Sequence, residues 1–243
     1  MAYYYPHRKK RRFPKGTDGW SITTWLIIVN VIIYLFLTIS HLISKLSLEE
    51  WINTSLPSYF ALKSSSILQG NYLPSILLHM FSHIYFIHLF INMFVLFSLG
   101  SLCEKIIGKK RYFWFYLLAG LFAGILSIIL SGFFGNSELG ARIFGSPEIF
   151  MMGASGAIFA IAGLYMILLP RLKFMIIFLP FFSFPAYIII PVALFGVWAL
   201  TIIFNLPIGN VAHFGGFLVG VVYGLYLKNK YKRKVLRLQR MFR

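Results

Sequence analysis

The stretch GASGAIFAIAGLYMILL, residues 153–169, decides the fold of this chain. It holds 17 residues without a charge and stops at Pro170 and Arg171. A helix of that length extends about 26 Å, slightly less than the roughly 30 Å hydrocarbon core of a bilayer. Its only serine, Ser155, follows Gly153-Ala154 and precedes Gly156. The stretch therefore predicts a short membrane-spanning helix with one serine near its start.

The composition agrees with a membrane protein. Of the 243 residues, 59% are hydrophobic and 12% are charged, and the mean hydropathy is +0.79. These values are too apolar for a soluble domain and predict a polytopic, all-α membrane protein. The single cysteine, Cys103, excludes a disulfide within the chain.

Six apolar runs are each near the roughly 20 residues that a spanning helix needs. They are Ser21–Ile43, Ile84–Leu102, Tyr112–Ser131, Gly153–Leu169, Ala186–Phe204 and Val211–Leu227. The first run is too long for the apolar region of a signal peptide, so we expect it to be retained. The apolar segment Leu172–Pro185 is predicted to be either a helical lead-in or an interfacial loop. The long first external loop, Ser44–Leu73, is expected to include a partly embedded amphipathic piece.

The basic residues predict the orientation. Twenty of the 23 Lys and Arg residues lie in the two terminal tails and in loops 103–111 and 170–173. The positive-inside rule makes that side cytoplasmic and puts both termini there. We therefore predict a basic cytoplasmic tail over 1–20, a six-helix domain over 21–227 and a second basic cytoplasmic tail over 228–243. Charge placed this way fits an anionic lipid leaflet as partner and argues against nucleic acid.

Three polar residues on three separate runs share one predicted depth. Ser155, His213 and His88 each lie 14 residues before the last apolar residue of their run. That is about 21 Å above the cytoplasmic boundary, nearer the outer surface. Asn92 lies one turn below His88 on the same helix face. A lone serine in a membrane helix usually packs, and a lone histidine or asparagine usually joins helices; the shared depth favours a functional site.

Small residues predict that two of these helices approach closely. Each run carries a face of small side chains at helical spacing, which lets backbones meet. The two faces are Gly156, Ala160 and Gly163 in one run, and Gly216, Gly220 and Gly224 in the other.

The residue types at this level predict nucleophilic catalysis. His213 takes the proton of Ser155, and the serine oxygen attacks a peptide carbonyl. The oxyanion needs donors, which the Ser155 amide in the first helical turn, His88 and Asn92 supply. The six runs contain no Asp or Glu, so the pair is a dyad, and stacking on Phe159 is expected to orient the His213 ring. The short fourth run leaves room for a wet depression above Ser155.

At these residues the sequence resembles the rhomboid family of intramembrane serine proteases, over about Thr23 to Leu227. Three blocks carry the resemblance. They are His83-Ile-Tyr-Phe-Ile-His88-Leu-Phe-Ile-Asn92 with Gly100 and Glu104 after it, Gly153-Ala-Ser155-Gly156, and Ala212-His213-Phe-Gly-Gly216-Phe-Leu-Val-Gly220. One such motif is weak evidence, but all three in order on the right runs are specific.

The resemblance implies a six-helix fold, a Ser155–His213 dyad and an oxyanion hole from the Ser155 amide, His88 and Asn92. Gly153, Gly156, Phe159, Gly216 and Gly220 would support this site. It implies no cofactor and no metal, and substrates that are single-span membrane proteins reaching the site laterally past Ala186–Phe204 and loop Asn205–Asn210. The absence of a seventh span suggests the basic six-helix form. With the charge pattern, it implies a multi-pass membrane protein with an extracytoplasmic site, and in a cell without internal membranes the plasma membrane follows.

Two departures from the family pattern stand out. The first external loop lacks the Trp-Arg pair that many members carry, which puts anchoring of that loop in doubt. Phe159 stands where tyrosine is common in the family, so stacking is kept and a hydroxyl contact is lost.

His83, by contrast, matches a family histidine with a structural role.

Other readings remain open from the sequence. The main alternative is a catalytically inactive rhomboid-like factor that binds or traffics membrane proteins. A transporter or channel would use the same polar cluster, but we would expect broken helices or paired carboxylates. A metal site from His79, His83 and His88 lacks an HExxH motif or an acidic ligand. An intramembrane aspartyl protease is excluded because Asp18, the only aspartate, lies in the tail.

Overall fold

The computed structural model describes residues 20–176, 179–204, 206 and 208–242. Helices dominate these residues, and four short strands form two antiparallel pairs. In chain order the elements are α1 (Ile22–Ser44), α2 (Leu48–Ile52), α3 (Ser55–Ser58), β1 (Leu62–Lys63), α4 (Ser64–Leu68), α5 (Ser75–Leu78), a 3-10 turn (His79–Phe81), α6 (Phe86–Val95), a π-helical turn (Leu96–Gly100), α7 (Ser101–Ile107), α8 (Lys109–Phe134), α9 (Glu138–Phe144), β2 (Phe150–Met151), α10 (Ser155–Leu168), β3 (Lys173–Ile176), β4 (Leu179–Pro185), α11 (Ala186–Phe204), α12 (Asn210–Lys230) and α13 (Lys232–Met241).

Within the described residues, five helices are long and apolar enough to cross a bilayer. They are α1, the continuous helix Phe86–Ile107 formed by α6, the π turn and α7, then α8, α11 and α12. The protein is thus a multi-pass, mostly helical membrane protein, as the composition predicted. The expected fourth span, Gly153–Leu169, is the 14-residue helix α10, which falls short of this length.

Helix α10 is short because its neighbours surround it. Ala157, Ala160, Ile161 and Leu164 are fully buried against the other helices. A helix shielded from lipid by protein does not need to match the hydrocarbon thickness, because loops can hydrogen-bond the unpaired backbone groups at its ends. The helix that carries Ser155 is therefore the core of the bundle.

The second span runs further than the predicted end at Leu102. It continues through Glu104 to Ile107. The buried Glu104 carboxylate accepts hydrogen bonds from the amides of Ile22 and Thr23, each at 3.0 Å, and from the Thr23 hydroxyl at 2.9 Å. A carboxylate can stay inside this helix because it caps the unpaired amides that begin α1.

The segment Leu172–Pro185 is not the helical lead-in that was one of its two predicted forms, and its place at the membrane interface stays a prediction. It contains the antiparallel pair β3–β4, in which Lys173 pairs with Pro185 and Phe174 with Phe184. Its many Phe and Ile residues favour a strand. These strands and β1–β2 are short, so the described residues remain consistent with the predicted all-α membrane fold.

The C-terminal residues belong to the folded structure. α12 extends to Lys230, beyond the predicted boundary at Leu227, and α13 follows directly. Val235 is buried, and the Gln239 side-chain amide donates to the carbonyl oxygen of Leu168 at 3.1 Å. Residues 1–19 of the predicted N-terminal tail, and Asn205 and Pro207 of the predicted loop, lie outside the described residues.

The loop predicted to be the first external one is anchored without a Trp-Arg pair. Ser47 and Glu50 form a capping box at the start of α2. Trp51 is buried, and its indole N–H donates to the Ser40 hydroxyl near the end of α1 at 3.3 Å. The His41 ring lies against the Trp51 ring, with centroids 5.2 Å apart. Trp51 thus ties the loop to α1.

Candidate active site

The turn before α10 places Ser155 at a helix N-terminus. Gly153 has φ +132°, a conformation that side chains rarely adopt. A Cβ at Gly153 would lie 2.9 Å from the Cε1 atom of His88, so glycine also lets this ring approach the backbone. The Gly153 amide donates to the carbonyl oxygen of His79 at 2.9 Å, and the Ala154 amide points to Nε2 of His83 at 3.5 Å. These contacts hold the serine turn against the histidine-rich segment before α6.

A small sheet fixes the chain leading into that turn. Met151 of β2 pairs with Leu62 of β1. The Lys63 ammonium lies 2.8 Å from the Glu148 carboxylate, beside this pair. Hydrogen bonds from Lys63 and Ser65 hold the pKa of Glu148 below its ordinary value of 4.5. At neutral pH the ion pair is present, and it is lost as the pH falls through that lowered pKa.

Glycines on α12 bring His213 to Ser155. A Cβ at Gly216 would overlap the carbonyl oxygen of Gly156, and one at Gly220 would overlap that of Ala160. The backbones of α10 and α12 are therefore in direct contact at both positions. This close approach is the one that the two small-residue faces predicted.

The serine and the histidine form a hydrogen bond. The Ser155 Oγ and His213 Nε2 atoms are 2.8 Å apart. Both residues are partly exposed rather than sealed in the core. The Phe159 ring stacks on the His213 ring, with centroids 4.6 Å apart and planes at 29°. This arrangement allows the imidazole to take the serine proton and keeps its ring oriented.

His88 and Asn92 lie on α6, beside the serine turn. The His88 ring contacts Gly153 and meets the buried His83 ring edge-on, with centroids 4.9 Å apart. The buried Asn92 amide donates one hydrogen to the carbonyl oxygen of His88 at 2.9 Å. An amide group has two hydrogens, so one is left for another acceptor. His88 thus reaches the Ser155 turn directly, and Asn92 lies one turn further along the helix.

The histidines do not form a metal centre in the part of the chain that the structure describes. There, no group of three or more His, Cys, Asp or Glu residues is arranged to hold an ion. The buried His79 instead places its Nδ1 atom 3.0 Å from the carbonyl oxygen of Ser75.

One contact beside the residue that follows His213 was not foreseen from the sequence. The Trp198 indole N–H on α11 donates to the carbonyl oxygen of Ile143 on α9 at 3.0 Å. The Trp198 ring also lies against Phe214, the neighbour of His213, with centroids 5.8 Å apart. A tryptophan inside an apolar run needs an acceptor for its N–H, and that was the available signal.

Comparison with known proteins identifies the family. The family model described as "Rhomboid domain" matches residues 71–230 of this chain, and this range includes every candidate site residue. The chain belongs to the rhomboid family. The sequence resemblance to rhomboids is confirmed, and the three motif blocks lie where the structure brings Ser155, His213 and His88 together.

Three relatives show the range of similarity. The mitochondrial presenilin-associated rhomboid-like protein of Homo sapiens is 27% identical over 213 residues, 86% of this chain and 49% of the relative. The mitochondrial rhomboid protein 1 of Saccharomyces cerevisiae is 28% identical over 190 residues, 73% of this chain and 50% of the relative. The rhomboid protease GlpG of Haemophilus influenzae is 24% identical over 160 residues, 65% of this chain and 71% of the relative. The chain spans about half the length of the mitochondrial relatives.

Proposed function

We propose that this protein is an intramembrane serine endopeptidase that cleaves membrane-spanning proteins with a Ser155–His213 dyad. The observation that carries the proposal is the 2.8 Å contact between the Ser155 Oγ and His213 Nε2 atoms. A packing serine has no need of an imidazole partner at a helix N-terminus. The alternative of an inactive rhomboid-like factor gives no reason to keep nucleophile and base in hydrogen-bonding contact.

In the first half of the reaction the Ser155 oxygen attacks the substrate carbonyl carbon while His213 Nε2 takes the hydroxyl proton. The new C–O bond gives a tetrahedral oxyanion. Collapse breaks the C–N bond, and His213 returns the proton to the leaving nitrogen, which leaves an acyl group on Ser155.

The oxyanion is stabilised by donors around the serine turn. The Ser155 amide lies in the first turn of α10, where a helix has no acceptor for its own N–H groups and the helix dipole is positive. His88 contacts the same turn, and Asn92 has an amide hydrogen to offer. Small shifts of these donors when substrate binds complete the oxyanion hole.

In the second half a water molecule replaces the leaving group. His213 takes a proton from the water, whose oxygen attacks the acyl carbon, and the proton then passes to the Ser155 oxygen as the ester bond breaks. Partial exposure of Ser155 and His213 supports access of water from the loop side of the bundle.

The substrates we propose are single-span membrane proteins, because a nucleophile held at the end of α10 meets chains already in the bilayer. No metal or other cofactor takes part in these steps. We place the site on the extracytoplasmic side and, if the source cell has no internal membranes, the protein in its plasma membrane. The mitochondrial location in the names of two relatives belongs to proteins of about twice this length. Fractionation of the source cells checks the compartment.

The decisive experiment uses the full chain purified in detergent. A tagged single-span reporter measures cleavage, and a fluorescent fluorophosphonate, which reacts with activated serines, measures nucleophilicity without a substrate. Ser155→Ala is expected to lower cleavage roughly 10⁴–10⁶-fold and to abolish labelling.

Ser98→Ala is the matched control. Ser98 is exposed on the π turn, and its hydroxyl bonds only its own helix, at the carbonyl oxygen of Phe94. This variant should cleave and label as the unaltered chain does. Equal cleavage by Ser155→Ala and the unaltered chain would refute the proposed protease activity. If neither protein cleaved the reporter or reacted with the fluorophosphonate, the result would favour the inactive rhomboid-like factor. Loss of activity with a chelator would instead support metal chemistry.

A further inference from the structure

Three cationic side chains surround one tyrosine at the end of the bundle opposite Ser155. The Arg111 guanidinium carbon is 5.7 Å from the Tyr231 ring centroid, and the Lys230 and Lys234 ammonium nitrogens are 5.8 and 5.6 Å from it. Arg111 also donates to the Tyr231 hydroxyl at 3.4 Å. We call these four residues the Tyr231 cluster. It joins the start of α8, the end of α12 and the start of α13.

The cluster is built by the fold rather than by one flexible tail. Tyr231 separates α12 from α13, so this break in the helix brings Lys230 and Lys234 to one ring. Val235 is buried and Gln239 bonds the carbonyl oxygen of Leu168, which hold α13 against the bundle. Lys230 is further fixed by donating to the Tyr226 hydroxyl at 2.7 Å.

No carboxylate among the described residues neutralises these cations. Glu104, the only described acidic residue near this end, is buried and engaged with the start of α1. The other described acidic residues lie at the opposite end, in α2, in α9 and just before β2, namely Glu49, Glu50, Glu138 and Glu148. Three like charges around one ring repel each other, so the cluster favours an anionic ligand.

An apolar surface continues from the cluster along the helices. Trp114, three residues after Arg111 on α8, is 52% exposed. Val222 and Tyr226 on α12 are 65% and 51% exposed. A ligand that fits both surfaces has an anionic head and an apolar tail.

We propose that the Tyr231 cluster binds the phosphate of an anionic phospholipid headgroup in the leaflet that this end of the bundle faces. Arg111, Lys230 and Lys234 supply positive charge, and the Tyr231 hydroxyl, which accepts from Arg111, keeps its own hydrogen to donate to a phosphate oxygen. The acyl chains lie along the exposed side chains of α8 and α12. Basic pockets beside spanning helices recognise such headgroups elsewhere. The site is separate from Ser155 and does not depend on the proposed protease activity.

Native mass spectrometry of the full chain in a non-ionic detergent tests this proposal. The protein is titrated with phosphatidylglycerol and, separately, with zwitterionic phosphatidylcholine. We expect one phosphatidylglycerol to bind more tightly than phosphatidylcholine. Because each cation near an anionic lipid contributes roughly fivefold, the triple variant Arg111→Gln/Lys230→Gln/Lys234→Gln should bind phosphatidylglycerol about 100-fold more weakly.

The matched control removes three charges from the same end that are not among the cations over the Tyr231 ring, as Lys232→Gln/Arg233→Gln/Arg237→Gln. It should change affinity much less than the cluster variant. Equal weakening by both triple variants would show diffuse surface charge and overturn the proposal, as would equal affinity for the two lipids. If the triple variant does not fold, the single variants carry the test, each expected to weaken binding about fivefold.

Two competitors distinguish the lipid from other anions. Glycerol phosphate, which has the headgroup chemistry without acyl chains, should displace the lipid poorly. A short DNA duplex should not displace it at all. Displacement by either at concentrations comparable with the lipid would overturn the assignment of a lipid site.

Discussion

At the scale of the residue, His213 is oriented by an aromatic ring. Helices α10 and α12 contain no Asp or Glu, so neither offers a carboxylate to the imidazole. The Phe159 ring stacks on it at 4.6 Å instead, one turn below Ser155. Stacking restricts the ring plane without adding charge to an apolar bundle, where an unpaired carboxylate is costly.

Asn92 gives a test of the oxyanion hole at this scale. If its remaining amide hydrogen stabilises the oxyanion, Asn92→Ala should lower kcat about 10²–10³-fold with little change in KM. Overlap with His88 and the Ser155 amide makes the lower end of this range the expected result. The rate is measured on the single-span reporter and divided by the amount of fluorophosphonate-labelled protein.

Asn30→Ala is the control for that variant. Asn30 is also a buried asparagine, and its amide makes the same bond within its helix, to the carbonyl oxygen of Leu26 at 2.8 Å. It lies on α1, away from the serine turn. Whatever its effect on stability, its loss should leave kcat per labelled molecule unchanged. Equal kcat for both variants and the unaltered chain would remove Asn92 from the oxyanion hole.

At the scale of the element, contact between α10 and α12 decides whether the proposed dyad forms. Gly220→Ala puts a methyl group where the carbonyl oxygen of Ala160 lies, so the helices must separate. Such overpacking costs about 1–3 kcal/mol of unfolding free energy. We expect a lower Tm in thermal unfolding and a further loss of cleavage, since Ser155 and His213 move apart.

Gly196→Ala is the matched glycine on α11. It is exposed, and a Cβ there meets no atom within 4 Å. Alanine is a better helix former than glycine by about 1 kcal/mol, so this variant should be unchanged or slightly more stable. A Gly220→Ala variant as stable and active as Gly196→Ala would contradict the close approach of the two helices.

At the scale of the whole molecule, the open question is whether α10 counts as a crossing. Asn136 and Lys232 are exposed on either side of a segment that contains α10, α11 and α12. Three crossings would place them on opposite sides of the membrane, and two would place them on one side. The positive-inside pattern predicts opposite sides, with Lys232 in the cytoplasm.

Cysteine labelling in sealed vesicles checks this topology. Asn136→Cys and Lys232→Cys are treated with a membrane-impermeant maleimide before and after the vesicles are opened. We expect one to react from outside and the other only after opening. The unaltered chain is the control, because its only cysteine, Cys103, is buried and should stay unlabelled. Labelling of both positions from the same side would rule out six crossings.

The sequence by itself determined the class of the molecule and its candidate chemistry. Long apolar runs, basic loops and the motif blocks around His88, Ser155 and His213 are local patterns, and each has a physical meaning without knowledge of the fold. Helix ends were less accurate, because a carboxylate such as Glu104 is tolerated in a helix only when another segment covers it. Only the tertiary structure decided the rest: the burial of short α10, the hairpin at β3–β4, the anchor at Trp51 and the Tyr231 cluster. The burial of α10 and the Tyr231 cluster depend on contacts between residues far apart in the chain. The β3–β4 pair and the Trp51 anchor depend on contacts between neighbouring segments, which hydrophobicity and charge alone did not predict.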